Sequence, residues 1–174
     1  LLGSTNYTSR KSLFRYFNFL NQDDAKNVQL DLSLFVSACE NMAKEKTGAI
    51  IVLERSNSLD FVKSTGDSTS IRLSPQILES IFYKNSPLHD GAIIMKENTI
   101  TATRVVLPVS ESTTIPNHFG LRHRAGAGIS EKTDALVVVI SEQRGEIVYI
   151  KDGRLETFTS GEKLKRSLSE DLSL

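Results

Sequence analysis

Leu30, Leu34, Phe35, Ala38 and Met42 fall on one face at three- and four-residue spacing, which predicts a helix over about 31–46. Gly48 follows it. AIIVLE (49–54) is then a β-branched apolar run that predicts a buried strand. The stretch RSNSLDFVKSTGDSTS (55–70) is rich in turn formers and is expected to hold one short strand near 59–63. Ser74-Pro75 marks a helix start, with serine as the cap and proline in the first turn, and that helix runs to about Tyr83. AIIM, a KENT turn and ITATRVVLPV form a hairpin pattern over 92–109, and a polar loop covers 110–118. GLRHRAGAGIS (120–130) reads as a basic, glycine-rich loop. ALVVVIS (135–141), the most apolar run, predicts a central strand. Two further hairpin turns follow, EQRG and KDGR, the second carrying the strong turn signal Asp152-Gly153, and residues 160–171 predict a last, polar helix. Strands joined by tight turns must pair antiparallel or in a mixed sheet. The expected fold is therefore α/β: a three-layer domain with a central mixed β-sheet flanked by helices.

The N-terminal stretch departs from this pattern. Residues 1–20 interleave Phe14, Tyr16, Phe17 and Phe19 with Arg10, Lys11 and Arg15, which suits either a membrane-proximal segment or a helix packed on the domain. Residues 21–27 read as a polar linker, so the division is 1–27 for the membrane-proximal helical segment and linker, and 28–174 for the folded domain. A chain of 174 residues suits one such domain. Beginning with Leu1 rather than Met, it reads as a piece of a longer protein. Lys plus Arg and Asp plus Glu both total 21, so a general nucleic-acid binder, with its basic excess, is disfavoured. A single cysteine, Cys39, excludes an internal disulfide. No run reaches the ~18 apolar residues that a spanning helix needs.

Two stretches carry candidate chemistry. In Ser86-Pro87-Leu88-His89-Asp90-Gly91-Ala92, Asp90 stands in the turn before a strand, where a carboxylate can hold a divalent cation or accept a proton from a hydroxyl. Gly91 permits close backbone approach, and a neutral His89 could ligate metal. A plain Asx-type turn with a surface histidine explains the same residues. In Gly120-Leu121-Arg122-His123-Arg124, the two arginines offer charged forks that match phosphate oxygens, with glycines beside them. No Gly-Lys-Ser/Thr follows, so this is not a Walker loop, and a solvated basic turn is the alternative. Ser141-Glu142, at the end of the apolar strand, could face a cleft or form a hairpin turn. His89-Asp90 also matches the dyad of HD phosphohydrolases, but the further ligating residues that such a site needs are missing: only His118 and His123 remain, both in the loop region.

Taken together, Asp90-Gly91-Ala92 and Arg122-His123-Arg124, in the contexts SPLHDGAII (86–94), LPVSES (107–112) and RHRAGAGISEKTDA (122–135), resemble the diadenylate cyclase family, the DAC or DisA-N domain. The resemblance covers roughly residues 28–165 and is greatest to the membrane-anchored CdaA type. It implies a nucleotidyltransferase that condenses two ATP into the second messenger cyclic di-AMP and two pyrophosphates, at a face-to-face homodimer interface. Asp90, Gly91, Arg122, His123 and Arg124 would then be catalytic. Asp90, Gly91, Ala92, Leu107, Leu121, Arg122, Ser141 and Glu142 would bind ATP. His89, Asp90 and Glu142 would hold Mg²⁺ or Mn²⁺, with Co²⁺ as a third choice. The whole protein would be anchored at the cytoplasmic face of a bacterial membrane, without nucleic acid and with membrane or cytosolic partners open. Leu121 stands where many members have a threonine, so any phosphate contact there would be made by the backbone alone. The alternative is a non-catalytic adenine-nucleotide sensor module of a membrane complex, and a third reading is a partner-binding domain of such a complex.

Overall fold

Asp31 opens the first helix, its side chain accepting the Leu34 N–H at 3.0 Å. The computed structural model describes residues 29–174; the division at residue 27 and the membrane-proximal segment lie outside the described residues. Helix α1 (Leu32–Lys44) leads through Gly48 into β1 (Ala49–Glu54), then a single-turn helix α2 (Asp60–Lys63) and β2 (Asp67–Arg72). Helix α3 (Pro75–Phe82) is capped by Ser74 and is followed by the hairpin β3 (Ala92–Lys96) and β4 (Thr99–Val105). A long loop reaches α4 (Leu121–Lys132), and β5 (Leu136–Ile140), β6 (Ile147–Lys151), β7 (Arg154–Phe158) and α5 (Gly161–Leu172) complete the chain.

The strands form one sheet in the order β2-β4-β3-β1-β5-β6-β7. Only β1 and β3 run parallel; every other neighbouring pair is antiparallel. Strand side chains alternate between faces, so a strand covered on both sides is apolar throughout. Ala49, Ile51 and Leu53 of β1 join a core with Phe35, Met42, Leu78 and Leu164, under α1, α3 and α5. Ile50 and Val52 join the opposite core with Val137, Val139 and Ile129, under α4. The domain is thus the expected three-layer α/β structure.

Two local expectations are corrected. Residues 60–63 form the turn of α2 rather than a strand, and the strand lies at Asp67–Arg72. DSTSIR is mostly polar because β2 is an edge strand, paired only with β4, so its alternation carries little apolar signal. The stretch read as a glycine-rich loop is helix α4. Its glycines are spaces for packing. A Cβ at Gly126 would meet Ile150 Cδ1 at 2.8 Å and Val137 Cγ1 at 3.1 Å, and one at Gly128 would meet the Pro108 carbonyl oxygen at 2.0 Å.

The topology decides where a site can lie. Ala49 at the start of β1 pairs with Ile140 at the end of β5. Because β1 and β3 are parallel, β3 also starts at this edge, and Val105 at the end of β4 pairs with Ala92. The segments around residues 48, 90–92, 105–107 and 141–142 therefore share one edge of the sheet.

Candidate functional site

A cavity of about 610 Å³ opens at that edge, within the usual range for small-molecule sites. Asp90, Gly91 and Ala92 line one side, Leu107 another, and Leu121, Arg122 and His123 of α4 a third, with Ser141 and Glu142 closing it. Two motifs about thirty residues apart in the chain thus meet in one space. Of the predicted site residues, His89 and Arg124 do not line the cavity.

Gly91 has φ +89°, and a Cβ there would stand 2.8 Å from the Arg104 carbonyl carbon and 2.9 Å from the Val105 oxygen. Its smallness lets the Asp90 turn fold against β4, so the close approach is to protein backbone. This turn leaves Asp90 open to solvent. His89 Nδ1 lies 2.7 Å from the Ser86 carbonyl, and its Nε2 lies 3.2 Å from Asp90 Oδ1. A neutral imidazole that donates Nδ1–H to Ser86 turns its Nε2 lone pair toward the Asp90 carboxylate. Two acceptors so placed suit a cation shared between them.

The start of α4 is the opposite wall. Gly120 caps it without a side-chain hydrogen bond, so the first-turn N–H groups lack the usual cap and the helix dipole is directed at whatever lies before it. Arg122 Nη1 meets Glu142 Oε2 at 3.1 Å, which engages one end of the guanidinium fork. Leu121, 72% exposed, stands at the mouth with Val106 and Val109, also exposed. Arg124 turns away from the cavity: Nη1 donates to the Ser112 carbonyl at 3.2 Å and Nη2 to that of Ile115 at 3.4 Å. Its own carbonyl accepts from Ser110 N at 2.9 Å. Arg124 thereby straps the segment after Leu107 onto α4. Ser141 belongs to the hairpin turn as well as the cavity, its Oγ accepting from Arg144 N at 3.2 Å.

His123 is 7% exposed, and neither ring nitrogen has a hydrogen-bond partner. Burial, helped by nearby His118 and Arg122, pushes its pKa down to about 4. Its ring packs on Phe119 with centroids 4.8 Å apart, and Phe119 packs on His118 at 4.2 Å. Phe119 and His118, with Arg144 from the next turn, line the cavity and were not singled out from the sequence. They sit in polar loops, where nothing in their spacing distinguishes them.

Among the described residues no three His, Cys, Asp or Glu side chains converge as a closed metal site. Glu142 is paired with Arg122, so the trio His89, Asp90 and Glu142 is not assembled here. His89 and Asp90 alone make an open pair of donors.

The chain matches the family model described as DAC, DisA bacterial checkpoint controller nucleotide-binding, over residues 36–155. It belongs to this DAC family, as the two motifs implied. It is 40% identical over 127 residues to the diadenylate cyclase CdaS of Bacillus thuringiensis, covering 73% of this chain and 63% of that protein. It is 37% identical over 157 residues to the cyclic di-AMP synthase CdaA of Bacillus subtilis, covering 90% of this chain and 58% of that one. The chain thus spans less than two thirds of the length of these relatives. A crystal structure of a DacA double mutant from Staphylococcus aureus superposes with a TM-score of 0.78 at 37% identity, over 86% of this chain and 97% of that one. A hypothetical membrane spanning protein from Bacillus cereus gives 0.71 at 40% identity, over 73% and 62%. Among the described residues no helix is long and apolar enough to cross a membrane.

Proposed function

We propose that this chain is the catalytic domain of a diadenylate cyclase, joining two ATP molecules into cyclic di-AMP with loss of two pyrophosphates. The observation that carries this is the sharing of one cavity by the Asp90 turn and the Arg122 end of α4 in a member of the DAC family. The triphosphate lies along the uncapped start of α4, where backbone N–H groups and Arg122 face its negative charge. Leu121 offers its backbone alone. The apolar floor around Leu107 takes the adenine.

In each half-reaction the ribose 3′-oxygen of one ATP bonds to the α-phosphorus of the other. The bond from that phosphorus to the β-bridging oxygen breaks, and pyrophosphate leaves with the electron pair. The hydroxyl proton goes to Asp90. Holding both nucleotides in line makes the step effectively unimolecular. One protomer holds one ATP, so two must meet with cavities facing; the exposed apolar residues Val106, Val109 and Leu121 at the mouth suit such a face.

A divalent cation, Mg²⁺ or Mn²⁺ with Co²⁺ as a third choice, would be held by Asp90 and His89 together with substrate oxygens, and would neutralise triphosphate charge. Few protein ligands suffice there, because nucleotide-bound cations take most of their shell from phosphate and water. The full-length protein is proposed to be anchored at the cytoplasmic face of a bacterial membrane, in keeping with its similarity to the hypothetical membrane spanning protein from Bacillus cereus.

Incubation with ATP and Mn²⁺, followed by mass spectrometry, tests the activity. The wild type is expected to yield a cyclic dinucleotide. Asp90→Asn is expected to yield none while keeping ATP binding within a few-fold by calorimetry. ATP binding without product in the wild type would leave a nucleotide sensor; near-parental turnover by Asp90→Asn would remove the role given to that carboxylate.

A further inference from the structure

Gly48, in the turn between α1 and β1, lies behind the Arg122 side chain. A Cβ built there would stand 2.8 Å from Arg122 Nη1, 3.0 Å from Arg122 Cζ and 3.1 Å from Glu142 Cβ. These contacts differ in kind from those at Gly66 and Gly128. At Gly66 and Gly128 the nearest atom is a backbone oxygen, at 2.2 and 2.0 Å, which cannot yield without moving a strand or helix. At Gly48 the two nearest atoms are the far end of a long side chain. The Gly48 backbone is outside the left-handed region, which among the described glycines holds only Gly91, Gly145 and Gly153. Alanine is therefore conformationally allowed; the atoms it presses hardest are those of the guanidinium, and Glu142 Cβ at 3.1 Å need yield only a few tenths of an ångström.

We propose that Gly48 is a positioning residue for phosphate recognition: its missing side chain is the berth of the Arg122 guanidinium, and Glu142 tethers that group in the berth. The pairing of Nη1 with Glu142 at 3.1 Å fixes the direction of the fork, leaving its other donors for a phosphate. A fork seated in this way loses little freedom when the triphosphate arrives. The inference rests on the cyclase reading for the identity of the anion. The arrangement of Gly48, Arg122 and Glu142 does not depend on it.

The test is a double-mutant cycle of Gly48→Ala and Arg122→Ala, read by kcat/KM for ATP, ATP binding by calorimetry, and thermal unfolding. Gly48→Ala alone is expected to keep or raise the melting temperature, since a compatible Gly→Ala change restricts the unfolded chain. It is expected to lower kcat/KM by about 10- to 100-fold, the scale of a displaced positioning group, with ATP binding weakened. In the Arg122→Ala background the same change should have almost no further effect on binding or turnover, because the group it displaces is gone. A wild-type-like Gly48→Ala enzyme would overturn the proposal. So would a loss that persists undiminished in the Arg122→Ala background, since that marks a general structural role. If the wild type binds ATP but forms no cyclic dinucleotide, the cyclase reading fails and the cycle is decided on binding by the same criterion. A wild type that binds no ATP overturns both.

Discussion

Replacing Gly128 by alanine separates two explanations of the glycine-rich stretch in α4. As a phosphate cradle, Gly128 would matter for ATP and little for stability. As a packing space, the reverse holds. The new Cβ would stand 2.0 Å from the Pro108 oxygen and 2.9 Å from Ser110 N. Ordinary contact needs roughly 3.5 Å, so α4 and the 108–110 segment must part by about 1.5 Å. Overpacking of this kind costs about 1–3 kcal/mol. The parting also strains the 2.9 Å bond from Ser110 N to the Arg124 carbonyl, worth about 1 kcal/mol net. Together these come to about 2–4 kcal/mol, a fall in melting temperature of about 4–16 °C for a domain of this size. Gly126→Ala is the internal comparison: it meets side-chain methyls at 2.8 and 3.1 Å and should cost less. Gly120→Ala, with nothing within 4 Å, should cost least. The assay is thermal unfolding of the three variants beside ATP calorimetry at a temperature where all are folded. A Gly128→Ala protein with wild-type melting temperature and abolished ATP binding would refute the packing account.

His123 should make the domain acid-sensitive. Its folded pKa of about 4 lies below the unfolded value near 6.5, so the unfolded chain takes up its proton first as pH falls. The stability contributed by the neutral ring is complete above about pH 6.5 and is lost toward pH 4, at most about 3 kcal/mol. His123→Phe keeps a ring against Phe119, removes two unpartnered buried nitrogens, and is expected to flatten melting temperature against pH over that range; equal slopes in both proteins would contradict this. Specific activity should rise with protein concentration if each reaction centre needs two protomers, and a flat profile through the monomer–dimer range, followed by light scattering, would count against the facing-dimer proposal.

Much of the architecture follows from local pattern alone. AIIVLE and LVVVI are apolar on both faces, which only a strand covered by helices on both sides explains, and Ser74-Pro75 marks its helix start by capping chemistry. Asp90 and Arg122 stood out only as a pair: each stretch alone also reads as an ordinary turn, and it is the two motifs together, in their contexts, that resemble the DAC family. The strand DSTSIR could not be read this way, because one-sided pairing at a sheet edge leaves its polar residues in solvent. Helix α4 was hidden because interior glycines oppose helix formation by about 1 kcal/mol each. Its register is decided by Val137, Ile150 and Pro108, none of them neighbours in the chain. The parallel pairing of β1 with β3 is also tertiary, and it brings the Asp90 turn to the edge where β5 ends. So the candidate groups were legible in the local sequence. Their meeting in one cavity, the turning of Arg124 away from it, and the seat of Arg122 between Gly48 and Glu142 were decided by contacts between distant segments, which no local spacing encodes.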